Sequence, residues 1–507
     1  MSCDEGHGFS SAELKRKNLP KVVLLSYPAH ADELAAAGAY GCGDDRSSAE
    51  IFYELVKQNS RPVDENISDY FNNNSDDVSK STYETLNRIE SSKAKGEKLK
   101  VEGYDVETIF RNSIGRGHGA VEDQVNVVFS TDNLPRAATL QLCLMPYLSH
   151  LQQSLRRASA SKGYHVSPLI RDPNVVMEIR KLNDEVFRFY DTMQEAKIPG
   201  EDARYILALD TNTAIQTSGD ARELHHLDTM NEQGEVPFVA KAAVKMMIKQ
   251  VSKVAPLLMK NRGRNYKTVD FMPAAQLYSS GNSLMNDILA DNGYPQTATI
   301  VDGDTVSNMN RYMSKENIEN YVRKDDETGG ANLKLYHSCT VVAPMSLACF
   351  HQSIRQRSLK HSVESIFDSA KRRRFVTPPS IRDSSFSSEF DRMNNVMFDS
   401  YEHQISEGVP RSEAALILPH SLQMYDAFDV DGWNSTHYIG KRRCMTAQWE
   451  IRKIADDVSR YIKMASPVIG EWAEPQGVIY KSCPEAKKCG LCKKKLENME
   501  LNKNSSQ

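Results

Sequence analysis

Apolar and polar positions alternate along this chain in a way that predicts short strands interleaved with long helices. Lys21-Val-Val-Leu-Leu-Ser26 is an apolar run of strand length, and the alanine-rich stretch Asp32–Ala37 follows it as a helix. From about 60 to 100 the chain turns polar (DENISDYFNNNSDD, then SSKAKGEK), a composition that cannot bury a core and predicts a mobile insertion. Val125–Phe129 predicts a strand. Ala137–Ala160 is apolar at helical spacing, broken near Met145 because Pro146 lacks a donor and clashes one turn back. Asn174–Ala196 and Pro237–Lys253 carry the helical period, and Pro237 suits a first turn. A strand at Ser338–Val342 and helices at Phe390–Ile405 and Thr446–Met464 complete the pattern. The fold class predicted is α+β, with a mixed sheet and long helices.

The order of elements occurs twice. Pro168-Leu-Ile-Arg-Asp172 is matched by Pro379-Ser-Ile-Arg-Asp383 at an offset of 211 positions. The same offset relates Gln141 to Gln352, Ser154 to Ser365, Asn183 to Asn394, Phe187 to Phe398, Tyr190 to Tyr401, Pro199 to Pro410 and Pro256 to Pro467. Identities at a constant spacing over so long a stretch point to two diverged copies of one domain in tandem. The division expected is a tail over 1–19, a first copy over 20–264, a second over 265–480 and a Lys/Cys-rich tail over 481–507. The join lies in the polar, Gly-containing stretch Asn261–Thr268.

Composition narrows the class. The chain has 507 residues, 40% of them apolar, and a mean hydropathy of −0.53, which suits a water-soluble globular protein. No run approaches the ~18 apolar residues of a membrane span, and the N-terminus has no apolar segment of the signal-peptide kind. Nine cysteines, an odd and scattered set, read as reduced thiols, so a cytoplasmic location is expected. A net charge of −4 argues against bulk affinity for nucleic acid or membrane, so any anion site is local. The densest cationic stretch, Cys349–Phe375, holds Arg355, Gln356 and Arg357 and then Lys371–Arg374. Paired guanidiniums suit a phosphate, and a solvated basic face is the alternative. Near the C-terminus Cys483, Cys489 and Cys492 supply three thiols where a structural zinc site takes four ligands, so no metal is assigned.

In the second copy, His351-Gln-Ser-Ile-Arg355-Gln-Arg357 follows Ala343-Pro344. Gly408-Val-Pro410, Leu416-Ile-Leu-Pro419 and Ala447-Gln-Trp-Glu-Ile-Arg452 come later. The first copy has His118-Gly-Ala-Val-Glu122, Glu201-Asp-Ala-Arg204 and Ala221-Arg222-Glu-Leu224. These stretches resemble the flavin-dependent thymidylate synthases, over roughly 20–260 and 268–475. The resemblance implies conversion of deoxyuridylate (dUMP) to dTMP. Methylenetetrahydrofolate would be the one-carbon donor, reduced FAD the hydride source and NADPH the reductant.

The family builds its nucleotide site from two subunits, and each copy here matches a different half. The second copy keeps Gln352, Arg355 and Arg442 but has Phe367 and Ala415 where the family places arginines. The first has Leu144 and Glu235 in place of that set, while Gln152, Ser154, Arg156 and Arg204 match the other. The resemblance therefore implies one composite site per chain, with Arg355 and Arg442 catalytic and Gln352, Gln152, Ser154, Arg156 and Arg204 binding substrate. For FAD it implies Gln356 (in place of a histidine), Arg357, Arg222 and His226, with Asp123 where a flavin-contacting histidine belongs. A homodimer mimicking the family's tetramer is expected. The alternative is a degenerate relative that binds nucleotide or nucleic acid through Lys371–Arg374 without synthase activity.

Overall fold

The computed structural model describes residues 19–59, 62–73, 79–95, 105–261, 271–302, 314–323 and 331–492. Two sheets of identical order organise them. β1 (Lys21–Ser26), β2 (Asn126–Pro135), β3 (Ser149–Gln152) and β4 (Asn212–Asp220) are ordered β1-β2-β4-β3. β5 (Thr299–Asp302), β6 (His337–Ser346), β7 (Lys360–Val363) and β8 (Gln423–Asp431) are ordered β5-β6-β8-β7. Every pairing in both is antiparallel, where a mixed sheet is expected. Register repeats as well: His150 faces Thr217, and 211 positions on, His361 faces Phe428. The fold is α+β, two tandem copies of one domain.

Local chemistry sets the helix ends. Asp172 caps the helix Pro173–Glu195 by accepting from the Asn174 N–H at 2.7 Å, with proline in the first turn. The side chain of Gln448 caps Trp449–Ala465, accepting from the Glu450 and Ile451 N–H groups at 3.0 and 3.3 Å. Ile451, Ile454, Ala455, Val458 and Ile462 then form the buried stripe of that helix at the expected spacing.

The compact units cut across the two copies. The first runs to Gln153 and adds Lys162–Pro168 and Asn212–Pro273, enclosing the first sheet. The second takes Ser154–Ser161, Leu169–Thr211 and everything from Ala274, enclosing the second sheet. First-copy residues 169–211 thus pack with the second copy. Within this unit the helix Pro173–Glu195 lies against Ser387–Ser406, with Phe189 edge-on to Phe386 at 6.1 Å and Arg392 reaching Glu185 at 2.5 Å. Beside them, Tyr205–Asp210 and Leu416–Ser421 exchange backbone bonds reciprocally. Leu209 N–H donates to Leu418 O at 2.9 Å and Asp210 N–H to Leu416 O at 2.7 Å. In return His420 N–H donates to Leu207 O at 2.9 Å and Ser421 N–H to Tyr205 O at 2.8 Å. The members of each exchange are 211 positions apart, so equivalent segments meet as they do across a two-fold axis.

Two expectations are corrected. The polar insertion contains helices Glu65–Asn73 and Lys80–Ala94. They hold because their few apolar groups fall together: Phe71 stacks on Tyr53 at 4.4 Å, and Ile89 is buried. The apolar stretch from Ala137 is helical only over Arg136–Cys143. Past the break at Pro146 it becomes β3, where pairing with β4 overrides the helical period. The proposed join at Asn261–Thr268 lies outside the described residues from 262 onward.

Gly432 opens the helix Gly432–Arg442 in close contact, since an added Cβ would lie 2.7 Å from Leu333 O and 2.9 Å from Tyr336 Cβ. Gly432→Ala is expected to lower stability by about 1–3 kcal/mol, read as a lower urea midpoint at constant slope. An unchanged midpoint would contradict this packing.

Candidate functional site

Within the second unit, arginines from both copies converge. Arg442 ends the helix Gly432–Arg442, and its Nη2 donates to Gln352 O at 3.0 Å, tying it to the turn that presents Arg355. Arg156 donates from Nε to Glu201 Oε2 at 2.8 Å and from Nη2 to Thr446 O at 3.4 Å. Arg204, buried, donates from Nε to Glu201 O at 3.1 Å. Ser154 accepts from the Arg156 N–H at 3.2 Å, turning the chain toward the cluster.

The electrostatics follow from this crowding. Burial pushes the Arg442 pKa down, and the like charges of Arg156 and Arg355 push the same way. Burial likewise lowers that of Arg204, again aided by Arg156. Glu201 is the one carboxylate paired with Arg156 by a described ion pair. Arg204 Nη2 and Arg442 Nε are buried without a hydrogen-bond partner. Buried donors are ordinarily satisfied, and these two lie in a cationic cluster.

A buried polar frame surrounds the residues that flank Arg204. Glu450 accepts from Ser346 N–H at 2.7 Å, Ser346 Oγ at 2.5 Å and Tyr205 Oη at 2.5 Å. Gln448 Nε2 donates to the same Tyr205 hydroxyl at 2.8 Å, and Trp449 Nε1 to Asp202 Oδ1 at 2.8 Å. Residues 448–450 therefore bolt the first-copy segment Asp202–Tyr205 into the second unit. Glu201 and Asp202 enter the sequence reading only as part of the stretch Glu201–Arg204, and Tyr205 was not singled out, although all three flank Arg204. At the second-copy positions equivalent to Arg156 and Arg204, Phe367 and Ala415 are each 1% exposed and packed in the core.

The other predicted residues have these surroundings. Gln152 falls in the first unit, where its amide donates to Thr139 Oγ1 at 2.8 Å. Gln356 Nε2 donates to Ser358 Oγ at 2.8 Å, and Arg357 is exposed. Arg222 and His226 belong to the first unit. There His226 stacks on Phe271 at 4.5 Å with the rings 3° apart, the Arg222 guanidinium lies 5.8 Å from the same ring, and Asp123 sits 3.5 Å from Arg222. As arranged, this pair does not fit a flavin: a protein ring occupies the stacking face of His226, and the Asp123 carboxylate faces Arg222. The half-buried Gln356 and the exposed Arg357 are compatible with one. The run Lys371–Arg374 is engaged in its own domain, with Lys371 on Asp368 at 2.8 Å, Arg372 on Glu364 at 2.5 Å and Arg373 on Asp399 at 2.5 Å. Burial pushes the Cys349 thiol well up, consistent with a packing role.

A family model described as thymidylate synthase complementing protein matches residues 69–257 and again 306–468. The flavin-dependent thymidylate synthase of Saccharolobus solfataricus is 30% identical over 165 residues, 32% of this chain and 63% of that protein. The chain thus spans less than two thirds of that relative. The flavin-dependent thymidylate synthase of Geobacter sulfurreducens is 26% identical over 192 residues, 36% of this chain and 79% of that protein. A solved UMP/dUMP methylase, PolB from Streptomyces cacaoi bound with 5-Br dUMP, aligns over 48% of this chain and 94% of its own, at 14% identity and a TM-score of 0.33.

Asp220 caps the helix bearing Arg222 and His226 by accepting from the Glu223 N–H at 2.8 Å, and burial pushes its carboxyl up to about 6. The folded state then keeps a proton that the unfolded chain gives up near pH 4. Stability is therefore lost as pH rises from about 4 through about 6. Asp220→Asn, which keeps the cap, should flatten that loss in denaturation at a series of pH values. A constant difference between the two proteins across the window would contradict it.

Proposed function

The chain belongs to the thymidylate synthase complementing protein family, whose domain it carries twice, and from that premise we propose that it makes thymidylate from deoxyuridylate at one composite site per chain. The observation that carries this reading is the meeting of Arg156 and Arg204 with Arg442, and with the charge of Arg355, in one unit, leaving two buried donors without acceptors. A nucleotide phosphate satisfies them with charge-assisted bonds, which are stronger than neutral ones.

In this reading Arg156 and Arg204, with Ser154, hold the phosphate from the first-copy side. Arg355 and Arg442 approach from the second-copy side, with Gln352 fixing Arg442 through its carbonyl. Charge that develops on a pyrimidine carbonyl when the ring is attacked is stabilised by guanidiniums already in place, at no reorganisation cost during the reaction. Glu201 keeps Arg156 oriented, and the Tyr205–Glu450–Ser346 frame keeps Arg204 from relaxing away.

The family's flavin supplies the hydride when bound. Gln356 and Arg357 are the residues of this chain that suit its diphosphate, and Arg222 and His226 would first have to release Phe271. Methylenetetrahydrofolate as donor, NADPH as reductant, a cytoplasmic setting and a homodimer with two sites complete the proposal. No described helix is long and apolar enough to cross a membrane.

Arg442→Ala and Arg156→Ala should each weaken deoxyuridylate binding about 10- to 100-fold, since each removes a charged partner worth roughly 1.5–3 kcal/mol. Arg382→Ala, at an exposed arginine outside the cluster, should leave affinity within about twofold. Calorimetric titration showing undiminished affinity in Arg442→Ala would overturn the assignment.

A further inference from the structure

Beyond the arginine cluster, the second unit holds a set of thiols that the proposed reaction does not use. Cys483, Cys489 and Cys492 line one cavity of about 220 Å³ together with Lys481 and Lys488. Their convergence has a backbone cause. Gly477, in the short helix Gln476–Ile479, has no Cβ, and the point where one would sit lies 2.6 Å from Cys492 Sγ and 3.5 Å from Cys483 Cα. Any side chain there would push Cys492 out, so glycine is what allows Cys492 and Cys483 to pack on one spot. Cys489 is exposed, while Cys483 and Cys492 are half-buried.

The same packing reaches the helix that ends at Arg442. A Cβ on Gly440 would lie 2.9 Å from Gln476 Cγ, the residue next to Gly477. The thiols therefore stand one packing layer behind that helix.

We propose that this triad is a thiol–disulfide modification site whose co-reactant is an anionic low-molecular-weight disulfide such as glutathione disulfide. The exposed Cys489 thiolate attacks one sulfur of the reagent, giving a mixed disulfide and one glutathione thiol. Cys492 then displaces the second glutathione, closing a protein disulfide that Cys483, its neighbour across Gly477, exchanges into. Overall two protein thiols lose two electrons and two protons, and one glutathione disulfide becomes two thiols. Lys481 and Lys488 attract the reagent's carboxylates. Among the described residues no group of three His, Cys, Asp or Glu is placed to hold a metal ion.

The test uses full-length protein equilibrated with glutathione disulfide, alkylated and mapped without reduction. Wild type should lose two hydrogens in intact mass and yield a peptide bridging Cys492 to Cys483 or Cys489, reversed by dithiothreitol. Cys492→Ser should form no bridge. Gly477→Ala, with all three thiols present, should form it about tenfold more slowly. The proposal is overturned by mixed glutathione adducts alone, by an equal rate in Gly477→Ala, or by bound zinc that shields all three thiols from alkylation.

Discussion

The reciprocal backbone pairing of Tyr205–Asp210 with Leu416–Ser421 is the constraint on which the second unit depends. Four hydrogen bonds between equivalent segments fix two copies of one sequence about a local two-fold. Side chains repeat the relation in altered form. Asn183 donates to the buried Asp210 at 2.7 Å, and at the matching positions Ser421 donates to Asn394. Backbone pairing depends little on side-chain identity, so the junction could persist while the residues around it diverged. That freedom separates the two sides: Arg204 stands on one and Ala415 on the other, Arg156 on one and Phe367 on the other.

Symmetry in the frame and asymmetry in the side chains together account for the proposed site. A site built at a two-fold contact normally occurs in duplicate. Here one of the pair has its cations, and the other is filled by Phe367, over whose ring the Arg411 guanidinium lies at 4.3 Å. Burying an aromatic ring in place of an unpaired guanidinium removes a desolvation cost, so loss of one site favours packing while the other keeps its unmet donors. The first unit shows a related substitution, with Phe271 occupying the face of His226 that a planar ligand would use.

Much of this was legible in the residues themselves. The offset of 211 anticipated the duplicated sheet order, and the arginines that each copy keeps, Arg156 and Arg204 in the first and Arg355 and Arg442 in the second, all fall in the second unit. What could not be read depends on partners distant in sequence. The run Lys371–Arg374 looks like an anion site until the fold brings Asp399 and Glu402 to Arg373. Ser149–Gln152 continues a helical period, yet lies flat as a strand because β4 offers it a ladder. Gln152 parts from Ser154 because the boundary between compact units falls between them, a matter of packing that no local pattern encodes.

Stoichiometry tests the central claim most directly. Titration of the reduced, full-length protein with deoxyuridylate, followed by calorimetry, should saturate at one nucleotide per 57.0 kDa chain. Two nucleotides per chain would mean that a second site is open despite Phe367, and no binding at all would mean that the arginine cluster serves another anion. Either result would contradict a single composite site.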